Sequence, residues 1–146
     1  MNNLLVFLCG AGVFLSVASS RPARAASYDE AAEQRIFELL NQARTSRGLP
    51  ALEANAQLQE AARAHSQLMA ARQKLSHQFR REPMVSDRLA STGLHFDSEG
   101  ENVGLHQTAE GVHQGFMHSP PHRANILDPD YNAVGIGVVS GAPAST

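Results

Sequence analysis

The chain has 146 residues, 18% of them charged and 42% hydrophobic, which suits one domain and lies outside the disordered and coiled-coil classes. Aromatic residues make up 5% and Trp is absent, which argues against a base-stacking platform. The formal charge is −2 and no run of Lys or Arg is dense enough to track phosphates, so nucleic acid is not an expected partner.

Residues 4–18, LLVFLCGAGVFLSVA, form an unbroken apolar run. The run has the length of a signal h-region and falls short of the roughly 20 residues of a membrane-spanning helix. Ala23-Arg24-Ala25 fits the small-x-small cleavage pattern, so residues 1–25 are expected to be a signal peptide, with an uncleaved anchor as the competing reading. Cleavage after Ala25 removes Arg21, Arg24 and Cys9, the only cysteine. Lys plus Arg then falls from 12 to 10 against 14 acids, a net charge of −4. The mature chain has no disulfide, thiol nucleophile or thiolate metal ligand, and no membrane span.

Ser27 and Glu30 have capping-box spacing, followed by Ala32, Ile36, Leu39, Leu40 and Ala43 at helical intervals, with Gly48 and Pro50 closing that helix. Asn55 is expected to cap a second helix running to about Lys74. Its apolar face carries Leu58, Ala61, Ala62, Leu68 and Met69, with His65 at the centre as a satisfied core histidine. Ser86 is placed as cap of a short third helix closed by Gly93, and Thr108 as cap of a fourth with Val112 and Phe116 inward. Gly111 and Gly115 weaken this fourth helix and suggest close backbone approach. Ser119 and Pro120 start a fifth helix. Val134, Ile136 and Val138 alternate with Gly135, Gly137 and Val139, which describes a strand whose glycines admit a close neighbour. One strand forms no sheet, and its pairing partner is left open. Helices followed by a late strand suggest an α+β arrangement.

Polar groups concentrate in Leu75-Ser76-His77, in Gly100-Glu101-Asn102-Val103, and in the run from His118 to Leu127. Two imidazoles and a carboxylate from these places would suit a divalent metal with an open fourth position. The spacing itself gives little support: there is no H-E-x-x-H, and Pro120 and Pro121 separate His118 from His122. His95, His106 and His113 are ordinary surface residues on this reading, and Arg123 and Asn125 are structural. No Ser/His/Asp triad, nucleophile elbow or phosphate-cradling loop is present.

LLNQARTSRGLPALEANAQLQEAARAHSQLMA, LSH, GENVG, FMHSPPHRANIL and YNAVGIGVV occur in this order, and together they resemble the CAP superfamily (cysteine-rich secretory, antigen 5 and pathogenesis-related 1 proteins). The similarity is strongest to its bacterial branch of exported, disulfide-free single domains. The resemblance implies an α-β-α sandwich with a small antiparallel sheet. The expected organisation is a lead-in over 26–32, the CAP domain over 33–140, lacking the family's final strand, and a tail over 141–146. It further implies a cleft formed by His77, Glu101 and His122, with Asn102 of the GEN motif beside it. Ser119 stands where animal and plant members carry a second Glu, so three residues, not four, are the expected metal set: His77, His122 and Glu101, for zinc or magnesium.

Three functions follow from the resemblance. The first is a secreted module, extracellular or periplasmic, that binds an extracellular or envelope ligand such as a lipid or a divalent metal. The second is a metal-dependent hydrolase working from the same cleft. The third is a non-catalytic structural domain in which the His/Glu cluster only fixes loops.

Overall fold

Strand β5 (Ala133–Ser140) is buried along almost its whole length, and its two faces set the architecture. In a strand, side chains alternate between faces. Val134, Ile136 and Val138 join a core with Ile36, Leu40, Leu52, Val112, Phe116 and Ile126. Gly135 and Gly137 turn to the opposite face, where a Cβ would lie 2.1 Å from the Leu58 carbonyl carbon and 2.4 Å from the Arg63 backbone nitrogen respectively. The close neighbour anticipated from those glycines is helix α2 (Ala56–Arg72).

The computed structural model describes the backbone of residues 3–11 and residues 27–140 in full. The expected cleavage site at 23–25 and the tail at 141–146 lie outside the described residues. The elements run β1 (Asn3–Ala11), β2 (Ser27–Tyr28), α1 (Glu30–Thr45), β3 (Glu53–Ala54), α2, α3 (Val85–Ala90), β4 (Ser98–Leu105), α4 (Ala109–His118), α5 (Pro120–Leu127) and β5. Helices α1, α4 and α5 cover one face of the sheet, and α2 with α3 covers the other, packing Leu58, Ala62, Met69 and Leu89 with Val103 of β4. The fold is an α+β sandwich with helices on both sides of a small sheet.

The sheet order is β2-β5-β1-β4, with β3 also on β5. It is mixed. Only the short β2 pairs antiparallel with β5, while β1 runs parallel to both of its neighbours. Leu8 pairs with Val103 on one side and Gly137 on the other. The apolar run read as a signal segment therefore contributes a central strand over residues 3–11. Continuous apolar runs suit strands buried on both faces as well as leaders.

Two caps fall where the sequence places them: the Asn55 side chain accepts from Leu58 N at 3.0 Å and the Thr108 hydroxyl from Gly111 N at 3.1 Å. Others differ. Helix α1 is capped by Asp29, whose Oδ1 accepts from Ala32 N at 3.0 Å, because Ser27 is engaged in β2 opposite Ser140. Helix α3 begins after Met84 without a side-chain cap. Helix α2 stops at Arg72, where Gln73 turns left-handed at φ 50°. Close approach in α4 holds for Gly111, which abuts the His106 ring, while Gly115 has no neighbour within 4 Å of a Cβ.

Arg44, fully buried on α1, ties the segment after α5 to the core. It donates to the carbonyls of Pro50 (2.9 Å), Ile126 (2.9 Å), Asp128 (2.8 Å) and Tyr131 (3.1 Å). Its position fixes the C-terminal end of the helix that carries His122.

Candidate functional site

The site is assembled at β4, whose alternation sends consecutive residues to opposite faces. Asn102 is fully buried toward α5. Its amide donates to the His122 carbonyl at 3.0 Å, and its Oδ1 accepts from the Asn125 amide at 2.9 Å. Asn102 thus fixes the backbone that presents His122 and has no free polar atom left for a ligand. Asn125 is structural, as expected.

Glu101 points the other way. Its side chain is 5% exposed and both oxygens are engaged: Oε1 accepts from His77 Nδ1 at 2.8 Å and Oε2 from Arg88 Nη2 at 2.8 Å. His77 itself is 59% exposed, so a solvent-facing imidazole is held by a buried carboxylate. A carboxylate accepting at this contact takes the Nδ1–H of His77, which turns Nε2 outward.

His122 lies close enough to His77 for the two to repel. Burial, followed by that repulsion, holds the His122 imidazole below its ordinary value and favours the neutral ring. The ring packs on Phe116 at 5.1 Å between centroids. His122 and Ser119 line a hollow of about 270 Å³ with Val103, Gly104, Val112 and Phe116, and Leu105, an exposed apolar side chain, lies at the same hollow. Gly104 makes room here: a Cβ on it would lie 2.7 Å from the Phe116 ring.

Among the described residues no group of three His, Cys, Asp or Glu side chains is arranged to hold a metal ion. Both Glu101 oxygens are directed at His77 and Arg88, and of the His77 ring nitrogens only Nε2 faces outward. As arranged, His77, His122 and Glu101 do not form a three-ligand set for a divalent cation. His118 bonds its own helix at Gln114 O (2.8 Å), and Arg123 donates to Met117 O (3.2 Å) instead of to a carboxylate.

Sequence reading missed two participants. Arg88 on α3 also donates to the His77 carbonyl (3.1 Å) and to Glu82 Oε1 (3.3 Å), and Glu82 in turn contacts His65 Nδ1. An Arg eleven residues after the LSH motif carries no spacing signal, since its partners come from separate parts of the chain. His65 is the satisfied core histidine expected, its Nε2 bonding Ser76 O at 2.8 Å.

The model of the cysteine-rich secretory protein (CAP) family matches residues 37–146. This chain belongs to the CAP family. The CAP domain here is 34% identical over 122 residues to the uncharacterized protein YkwD of Bacillus subtilis, covering 83% of this chain and 46% of that protein. It is 31% identical over 107 residues to the uncharacterized membrane protein YlbC of the same organism, covering 73% and 31%. A 1.5 Å crystal structure of an extracellular protein containing an SCP domain from Bacillus anthracis superposes with a TM-score of 0.72 at 31% identity, covering 75% of this chain and 37% of that one. The chain thus spans less than half the length of the relatives it matches. Kinship with an extracellular protein accords with export, and no described helix is long and apolar enough to cross a membrane.

Proposed function

We propose that this CAP domain is an exported binding module whose cleft, formed by His77, Glu101, His122 and Ser119, takes an extracellular or envelope ligand. The observation that carries this reading is the pairing of a buried Glu101 with a solvent-facing His77, which interacts with His122, itself a lining residue of the apolar hollow. A buried carboxylate spent on orienting an exposed imidazole is more than loop fixation needs. A hollow of about 270 Å³ sits at the small end of ligand pockets. It suits one slender apolar group, such as part of a lipid, with His77 and the neutral His122 meeting the polar end.

Native mass spectrometry of the purified protein against lipid and cell-envelope extracts tests this reading. A bound species is expected on the wild type and is expected to fall at least tenfold for His77→Ala/His122→Ala. Wild-type protein that retains nothing would overturn the proposal.

One observation favours a second reading. His77 Nε2, oriented through Glu101, has the arrangement of a general base. Hydrolysis of an extract component that survives His77→Ala unchanged would remove it.

A further inference from the structure

Behind the cleft lies a chain of polar and charged groups of which the binding proposal uses only the outer end, His77 and Glu101. His65 is fully buried and contacts Glu82, whose side chain is 8% exposed. Glu82 is held in place from three further directions. Its Oε2 accepts from Phe79 N at 2.8 Å, its backbone carbonyl accepts from the Gln78 amide at 3.0 Å, and its Oε1 accepts from Arg88 Nη1 at 3.3 Å. The Arg88 side chain is 13% exposed, and its other terminal nitrogen reaches Glu101 Oε2 and the His77 carbonyl. The sequence of contacts is His65, Glu82, Arg88, Glu101, His77, running from the core to the surface.

We propose that Arg88 is the positioning residue of the cleft: clamped from behind by Glu82 and His65, it fixes Glu101 so that the carboxylate accepts the Nδ1–H of His77 and leaves His77 Nε2 facing solvent. The proposal rests on the binding reading of the cleft but concerns the ligand-free protein. The geometry argues for it in three ways. First, a carboxylate on a strand has free χ torsions, and a lone contact to an exposed imidazole would not restrict them. The planar guanidinium supplies the second point of attachment. Second, the same Nη2 also binds the His77 backbone, so Arg88 holds both ends of the dyad and sets their separation. Third, Arg88 lies between two buried carboxylates, and with both in place neither is left as an uncompensated buried charge.

Only a fork of this shape can span Glu82, Glu101 and the His77 carbonyl together. Lysine keeps the charge but presents it at one point. Arg88→Lys therefore separates orientation from simple neutralisation. Glu82→Gln is the companion variant: the amide still fills the space, but the clamp on Arg88 loses its charge-assisted bond.

The test is the ring tautomer of His77, read from long-range proton–nitrogen NMR correlations on labelled, ligand-free protein at mildly alkaline pH. The wild type is expected to show a single Nδ1–H form. Arg88→Lys is expected to retain the wild-type helical signal while His77 shifts to a mixture with a large share of the Nε2–H form, and Glu82→Gln to shift in the same direction by less. A single Nδ1–H tautomer in folded Arg88→Lys overturns the proposal. Should that variant not fold, an unchanged tautomer in Glu82→Gln overturns it equally. A protein that binds nothing in the extract experiment would leave this result standing, and one that binds normally with a mixed tautomer would count against the cleft reading alone.

Discussion

Gly137 on β5 faces Arg63 on α2 so closely that a Cβ at Gly137 would sit 2.4 Å from the Arg63 backbone nitrogen and 2.5 Å from the Ala62 carbonyl carbon. The neighbouring atoms are helix backbone and cannot rotate away. Ser66 locks the same contact by donating its hydroxyl to the Gly137 carbonyl at 2.8 Å. Gly137→Ala must therefore push α2 off the sheet. Overpacking of this kind costs about 1–3 kcal/mol. A urea unfolding midpoint equal to that of the wild type would contradict the helix-on-glycine packing.

Arg44 carries a different burden. Burial pushes its guanidinium below the ordinary value, against a smaller opposing pull from the Asp128 carboxylate, and its hydrogen-bond partners among the described residues are four carbonyls. Arg44→Met keeps much of the stem but orphans those acceptors. Each buried acceptor left unpaired costs about 1–3 kcal/mol. We expect a combined loss of at least about 3 kcal/mol on that scale, seen as a large drop in the unfolding midpoint. Because Arg44 holds the Ile126 and Asp128 carbonyls, amide shifts along α5 should change most. A midpoint close to that of the wild type would show the four bonds to be dispensable.

How far these features were legible in the sequence depends on where their cause lies. Helices α1, α2 and α4 follow from local periodicity, with the expected side-chain caps on α2 and α4 alone. Helix α5 follows from Pro120 in its first turn, although Ser119 makes no side-chain cap bond, and the glycine face of β5 follows from alternation. Strand β4, SEGENVGL, carries no strand signal of its own. Two Gly, two Glu and an Asn give it little intrinsic preference, and its conformation comes from pairing with β1. The run that becomes β1 reads equally as a leader, since apolar continuity alone does not separate a buried strand from an h-region. At the cleft, the resemblance names His77, Glu101 and His122, whereas spacing gives no reason to join residues more than 20 positions apart. Arg88 and Arg44 went unread because an arginine's partners are fixed by tertiary structure. Asn102 faces α5, where its side chain holds the His122 backbone and Asn125.

Half-buried on α4, His113 should make stability depend on pH. Its Nδ1 has no hydrogen-bond partner among the described residues, and burial, followed by the nearby Arg47, lowers its pKa. An unfolded histidine titrates near about 6.5. Below that value the unfolded chain takes up the proton first, so this contribution to stability is intact above about pH 6.5 and is lost as pH falls through the lower folded value. His122, also lowered, acts with the same sign. His113→Gln should therefore flatten, without abolishing, the fall in unfolding midpoint between neutral pH and about pH 5. An equally steep fall in the variant would mean that His113 does not carry this dependence.

Gly115 offers a way to close the hollow without touching the histidines. It lies on α4 along the hollow lined by Ser119 and His122, and a Cβ there meets nothing within 4 Å. Replacing a helical Gly by a residue with a side chain gains roughly 0.5–1 kcal/mol when the space is free. Gly115→Leu should therefore keep or raise the melting temperature while its side chain fills volume that a ligand would need. We expect at least a tenfold drop in whatever species the wild-type protein retains from extracts, with the His77–Glu101 pair unaltered by NMR. Gly115→Ala, adding one methyl, should give the stabilisation with a smaller effect on binding. Undiminished retention by a folded Gly115→Leu protein would place the bound species elsewhere on the surface and separate the hollow from the dyad beside it.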